Sequence, residues 1–137
     1  MQASIKKFKI FQGSFLIRLV LLLGISFLFI AATVATKPIV WICGDSTATN
    51  NAGWGGKLQS FLDANKVQVQ NKSVGGRSSK SFIEEKKSWP SFKDQIKKGD
   101  VLIIQFGHND NKPHSPERYT IPETTYKEYL TVFIDHA

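Results

Sequence analysis

Three short apolar runs, each ending in a polar loop that contains glycine, constrain this chain more than any other feature. Ile39-Val40-Trp41-Ile42-Cys43 runs into Gly44-Asp45-Ser46-Thr47. Val67 to Ser73 leads to Gly75-Gly76-Arg77-Ser78, and Val101-Leu102-Ile103-Ile104-Gln105-Phe106 leads to Gly107-His108-Asn109-Asp110. Short runs rich in β-formers between turn signals read as strands of a buried parallel sheet. The third run is nearly continuous in apolar character, which predicts burial on both of its faces.

Helical signals separate the runs. Trp54, Leu58, Phe61 and Leu62 recur at i, i+4, i+7 and i+8, which predicts an amphipathic helix. Trp89, Phe92 and Ile96 predict a looser one, with Pro90 near its start and Gly99-Asp100 at its close. Lys112 to Pro122 reads as a loop. Thr125 with Glu128 three residues on reads as a capping box, and the helix behind it buries Tyr126, Tyr129, Leu130, Phe133 and Ile134. The order β-α-β-α-β-α predicts a parallel α/β sheet with right-handed crossovers. In such sheets ligands bind at the carboxyl ends of the strands, above all where strand order reverses. Ser46, Gly76 and Asn109 are therefore expected on one rim.

The first 35 residues read differently. Lys6, Lys7, Lys9 and Arg18 precede or open an apolar core from Leu19 to Ala32, and small residues follow up to Ala35. This is the layout of a secretory signal, with cleavage after Ala35 and a secreted or periplasmic mature chain. The competing reading is an uncleaved anchor. A spanning helix needs about 20 predominantly apolar residues, and here the tail of the run is small residues. The first strand also begins almost at once, with no linker, which favours cleavage. Residues 37–137 then form a single domain, as the total length of 137 residues allows. Four of the 18 basic residues and none of the 11 acidic ones lie in the leader, so the overall +7 falls to +3 for the remainder. Nucleic acid is not indicated as a partner, and membrane contact is expected only through the export signal. The lone Cys43 excludes a disulfide framework and sits where a small buried apolar residue would. His108, His114 and His136 lack metal-ligand spacing, so neither metal nor other cofactor is expected. Nothing in the sequence sets an oligomeric state.

The three loops carry complementary chemistry. A serine needs a base to take its proton and donors to hold the oxyanion it creates. Ser46 directly follows a strand, so its hydroxyl and its N–H can both face a cleft. At Gly76 a backbone N–H can approach a ligand with no side chain in the way. Asn109 offers an amide NH2. Taken singly, each glycine-containing block is most often a turn. Taken together, in order and each at a strand's carboxyl end, they describe a nucleophile with three oxyanion donors.

These residues resemble the GDSL-type, or SGNH, hydrolases, and among them the rhamnogalacturonan acetylesterase-like branch. The blocks are Gly44-Asp45-Ser46-Thr47, Gly75-Gly76-Arg77-Ser78-Ser79-Lys80-Ser81-Phe82 and Gly107-His108-Asn109-Asp110. Trp54-Gly55 and Glu128-Tyr129-Leu130 also look like that branch. The resemblance implies a flavodoxin-like three-layer α/β/α sandwich with a five-stranded parallel sheet. It implies Ser46 as nucleophile, with Ser46 N–H, Gly76 N–H and the Asn109 side chain as the oxyanion hole. It also implies an acetylated pectic polysaccharide as substrate, with acetate released.

One part of the family pattern is missing. The general base belongs to a fourth block, Asp-x-x-His, and no such spacing occurs in this sequence. Asp135 and His136 stand side by side instead. Eleven helical steps from Thr125 would carry His136 about 16 Å from the rim at 1.5 Å per residue. His114 lies in the loop after the third strand, on the correct side, but Pro113 and its neighbours read equally well as a surface turn. The expectation is an amino-terminal portion, truncated after the third strand, nearly inactive by itself and with an aggregation-prone third strand at the sheet edge. Two other readings compete: a glycan-binding protein that kept the cleft without the base, and a flavodoxin-like nucleotide binder. Asp45 would repel a phosphate and weighs against the last.

Overall fold

The computed structural model describes residues 37–137. The expected export signal falls outside that range. Three parallel strands, β1 (Ile39–Gly44), β2 (Gln68–Asn71) and β3 (Val101–Gln105), form one sheet in the order β2-β1-β3. Helices α1 (Ser79–Glu84) and α2 (Thr125–His136) complete the framework, with short 3-10 segments at 46–48, 55–61, 89–91 and 93–95. The fold is thus the parallel α/β architecture expected. The chain places β2 on one side of β1 and β3 on the other. The order therefore reverses at β1, and the crevice between the carboxyl ends of β1 and β3 is where such sheets receive ligands.

β1 is the buried centre. Val40 to Gly44 are all buried, Ile42 and Cys43 completely. Its register runs from Ile39 opposite Gln68 to Ile42 opposite Asn71 on one side. On the other it runs from Val40 opposite Val101 to Gly44 opposite Gln105. Alternation divides its side chains between two faces. Trp41 and Cys43 join Phe82, Trp89, Phe92 and Phe133 in the main core, with Leu102, Ile104 and Phe106 of the third run packed against it. Burial pushes the Cys43 thiol up to about 12, so it stays a neutral, inert side chain.

Phe82 ties the aromatic cluster together, with ring centroids 5.2 Å from Phe106, 6.2 Å from Phe133 and 6.3 Å from Phe92. Such pairs add about 0.5–1.5 kcal/mol each beyond the area they bury. At the foot of the sheet the Asp100 carboxylate accepts from Ile39 N (2.8 Å), Trp41 Nε1 (2.9 Å) and Lys97 N (3.0 Å). Burial opposes its charge, but these hydrogen bonds and the Lys97 charge outweigh that and hold its pKa below the ordinary value. A lowered carboxyl pKa stabilises the fold above the ordinary aspartate range, and the contribution is lost as pH falls through it. Asp100→Asn should therefore lower the melting temperature at neutral pH, and its gap from the parent should close below about pH 4.

Several local expectations are corrected. The segment after Trp54 is a 3-10 helix, Gly55–Phe61, and not an amphipathic α-helix. At three residues per turn the i, i+4, i+7, i+8 set no longer shares a face, and Phe61 is 81% exposed. Trp89 to Ile96 forms two separate 3-10 turns, although Trp89 and Phe92 are buried as expected. A helix absent from the sequence reading, α1, starts inside the second polar block. Ser78 is its N-cap, and the Ser78 and Ser81 side chains cap each other's backbone N–H groups. The Thr125–Glu128 capping box does not form. Thr124 is the N-cap of α2, without a side-chain cap, and Thr125 Oγ1 instead accepts from Ile121 N at 2.7 Å. Of the residues assigned to the buried face of α2, Phe133 is fully buried but Ile134 is 65% exposed. β3 is half-buried, not enclosed on both faces, and Val101 is 51% exposed because β3 is an edge strand.

The two edges of the sheet differ. Outward-facing N–H groups along the second run have local partners: Val69 N donates to Gln59 Oε1 at 2.7 Å, Val67 N to Asp63 O at 3.0 Å and Ser73 N to Asn71 Oδ1 at 3.0 Å. Gln59 Nε2 also reaches Val67 O. No comparable dressing of β3 is found among the described residues.

Candidate active site

The first loop is held by Asp45, not left free. Asp45 is buried, and its Oδ1 accepts from Thr47 N at 2.9 Å and Thr47 Oγ1 at 2.7 Å, capping the short 3-10 turn Ser46–Ala48. Thr49 closes the turn from the other side, its N and Oγ1 both donating to Ser46 O. Ser46 thus sits half-buried on a tightly determined turn at the carboxyl end of β1. Gly44 makes this approach possible. A Cβ there would meet Ala48 Cβ at 2.8 Å and Gln105 O at 2.9 Å. Across the crevice, Gln105 at the end of β3 bonds Thr47 Oγ1 through Nε2 and accepts from Trp54 Nε1 through Oε1.

The second loop is delivered by continued pairing. Lys72 N donates to Ile42 O and Val74 N to Gly44 O, so the chain follows β1 to its very end. Gly75 then comes beside the serine: a Cβ built on it would lie 3.7 Å from Ser46 Cβ. Gly76 has φ +76°, a left-handed conformation that glycine alone adopts without strain. Among the described residues, no partner engages the N–H of Ser46 or of Gly76.

The third loop is fixed to the second. Asn109 is buried, and its Nδ2 donates to Arg77 O at 2.9 Å. Asp110 is the anchor. Its carboxylate accepts from Ser79 N (3.0 and 3.2 Å), Ser79 Oγ (2.5 Å) and Thr120 Oγ1 (3.2 Å). Thr120 N in turn donates to Asp110 O. Asp110 and Ser79 were not singled out in the sequence, although both stand inside the polar blocks. A buried carboxylate needs several donors, and the Ser78-Ser79 pair at a helix start supplies them.

Gly75 thus lies beside Ser46, and Asn109 is tied to the same second loop through Arg77 O; among the described residues no partner engages Ser46 N, Gly76 N or the second N–H of Asn109. No histidine joins them. His108 and His114 are exposed, and no hydrogen bond links either to Ser46 among the described residues. His136 lies at the other end of the sheet, its Nε2 2.9 Å from Lys93 O and its ring 5.3 Å from Trp89. No cluster of three or more potential metal ligands occurs among the described residues.

Residues 11–136 match the model of the GDSL-like lipase/acylhydrolase family. The chain is similar to the probable rhamnogalacturonan acetylesterase YesY of Bacillus subtilis (strain 168), 46% identical over 104 residues, covering 72% of this chain and 47% of the relative. It is also similar to rhamnogalacturonan acetylesterase RhgT of the same organism, 41% identical over 109 residues, covering 74% of this chain and 44% of the relative. This chain thus spans under half the length of either relative. In three dimensions it resembles the crystal structure of the Bacillus subtilis protein YxiM, with a TM-score of 0.62 and 28% identity over 74% of this chain and 29% of that one. A serine raised on a capped turn at the end of a central parallel strand, with glycine and asparagine blocks beside it, accords with these matches: the chain belongs to the GDSL-like lipase/acylhydrolase family.

Proposed function

We propose that this chain carries the nucleophile and oxyanion hole of an exported serine esterase that removes O-acetyl groups from pectic polysaccharide. The observation that carries the proposal is the meeting of three loops: Gly75 stands beside Ser46, and Asn109 is bonded to the second loop through Arg77 O. In this reading Ser46 Oγ attacks the acetyl carbonyl carbon and passes its proton to a histidine base. The carbonyl oxygen gains the charge and is held by Ser46 N–H, Gly76 N–H and Asn109 Nδ2. Collapse expels the sugar hydroxyl, which regains the proton, and leaves an acetyl-serine. Water then attacks that ester, giving acetate and free Ser46. The relatives' names support the choice of a rhamnogalacturonan-type substrate. Residues 1–35 serve as the export signal in the same reading.

In this reading the base is the histidine of the family's Asp-x-x-His block, a block that residues 1–137 do not contain; His136 is engaged at the opposite end of the sheet, and His108 and His114 are exposed and bond to no atom of Ser46 among the described residues. The 137-residue chain alone should then turn over acetyl esters about 10⁶-fold more slowly than the full natural protein that carries it, the cost of losing a triad histidine in a well-studied protease. The test is acetate release from acetylated rhamnogalacturonan, together with labelling by a serine-reactive phosphonate. Release by the full natural protein, with the label on Ser46, supports the proposal. Polysaccharide binding with neither release nor label would replace it with the reading of a glycan-binding protein of the same fold.

A further inference from the structure

Lys112 stands directly behind Asn109. Its Nζ donates to Asn109 Oδ1 at 2.6 Å, while Asn109 Nδ2 donates to Arg77 O at 2.9 Å. The two contacts orient the amide independently and agree. An ammonium only donates, so the atom that faces Lys112 is the carbonyl oxygen. A backbone carbonyl only accepts, so the atom that faces Arg77 is the NH2. One of the two N–H groups is engaged by Arg77, and no partner engages the other among the described residues.

The surroundings keep this arrangement in place. Asn111 N donates to Gly107 O at 3.2 Å and Ser115 N to Lys112 O at 2.9 Å, so the backbone on both sides of Lys112 is tied down. Lys112 is half-buried. It takes part in no ion pair among the described residues. The nearby Asp110 carboxylate is instead taken up by Ser79 and Thr120. The charge of Lys112 therefore bears on Asn109 without a neutralising partner. A carbonyl oxygen held by a cation draws electron density out of its amide, and the N–H groups of that amide become stronger donors.

We infer that Lys112 is a positioning residue of the oxyanion hole: it holds the Asn109 amide with its NH2 toward the site and polarises it. The inference rests on the proposed role of Asn109 as an oxyanion donor. Lys112 makes and breaks no bond in the reaction. Its influence grows as the acyl oxygen acquires charge, because a polarised N–H gains more against an anion than against a neutral ester. Such differential stabilisation raises kcat and leaves KM nearly unchanged. The signal in the sequence is the spacing of Asn109 and Lys112, three residues apart across a turn that Gly107 opens with φ +141°.

The test is steady-state hydrolysis of p-nitrophenyl acetate by the full natural protein carrying these residues. Lys112→Met is expected to lower kcat about tenfold with little change in KM, the scale of losing a charge-assisted partner. Lys112→Arg restores most of it, and Lys112→Gln, which keeps a donor but no charge, falls between. Asn109→Ala lowers kcat roughly 10²–10³-fold. Adding Lys112→Met to Asn109→Ala then costs nothing more, because the group it acts through is gone. An unchanged kcat in Lys112→Met, or an equal loss in both backgrounds, overturns the inference. An undiminished kcat in Asn109→Ala overturns the reading of the site itself. Lys112 lies in a half-exposed loop, so thermal melts of the Arg and Gln variants keep the comparison valid if Lys112→Met folds poorly.

Discussion

Ser46→Ala abolishes acetate release by the full natural protein, lowering kcat roughly 10⁶-fold, the scale seen when a triad serine is removed. The fold is untouched by the same change. The Ser46 hydroxyl has no hydrogen-bond partner among the described residues, whereas its carbonyl, which closes the turn, is kept in alanine. The melting temperature should stay that of the parent, since the stability change is expected within about 0.5 kcal/mol. Activity and stability thus separate at this position. A loss of less than tenfold would assign the nucleophile elsewhere. A matching fall in melting temperature would make Ser46 a structural residue.

Phe82→Ala has the largest expected effect on stability, about 3–5 kcal/mol. Phe82 is fully buried and its ring reaches Phe92, Phe106 and Phe133, which come from three different segments. A small domain has only about 5–15 kcal/mol to lose. Urea denaturation should show a lower midpoint with an unchanged slope. Phe61→Ala is the matched control: its ring is 81% exposed, and the midpoint should barely move. Equal shifts for the two would mean that the aromatic cluster does not carry the fold. The core also reaches the site. Phe82 lies on α1, whose first residue Ser79 holds Asp110, so loosening α1 loosens the second and third loops together.

The strands were legible because burial leaves a periodic trace. β1 must be apolar on both faces to sit between two neighbours, and its sequence says so. The rim positions of Ser46, Gly76 and Asn109 follow from the strands, because a parallel sheet sends all its carboxyl ends one way. What could not be read was set by contacts distant in sequence. Gly55 and Gly56 lie against Ala48 O and Asn50, and the segment they open takes 3-10 geometry whatever its apolar spacing suggests. The apparent capping box at Thr125 failed because Ile121 N, from the preceding loop, competes for the Thr125 hydroxyl. α1 is a single short helix whose cap uses serine where the usual pattern has glutamate, so it hid within a block read for chemistry. β3 has an interior sequence in an edge position, and its composition alone suggests two neighbours. Asp110 escaped notice for the reason that makes it informative: a buried carboxylate is explained only by donors from Ser79 and Thr120, which no local pattern announces.

The unequal edges of the sheet give it a direction. On the β2 side the Gln59 side chain occupies backbone groups that another strand would need, while among the described residues no side chain engages the outer backbone groups of β3. Recruitment of a further strand is thus confined to β3. A strand added at β3, whether from the same polypeptide or from a second molecule, would leave the dressed β2 side as the outer boundary of the sheet.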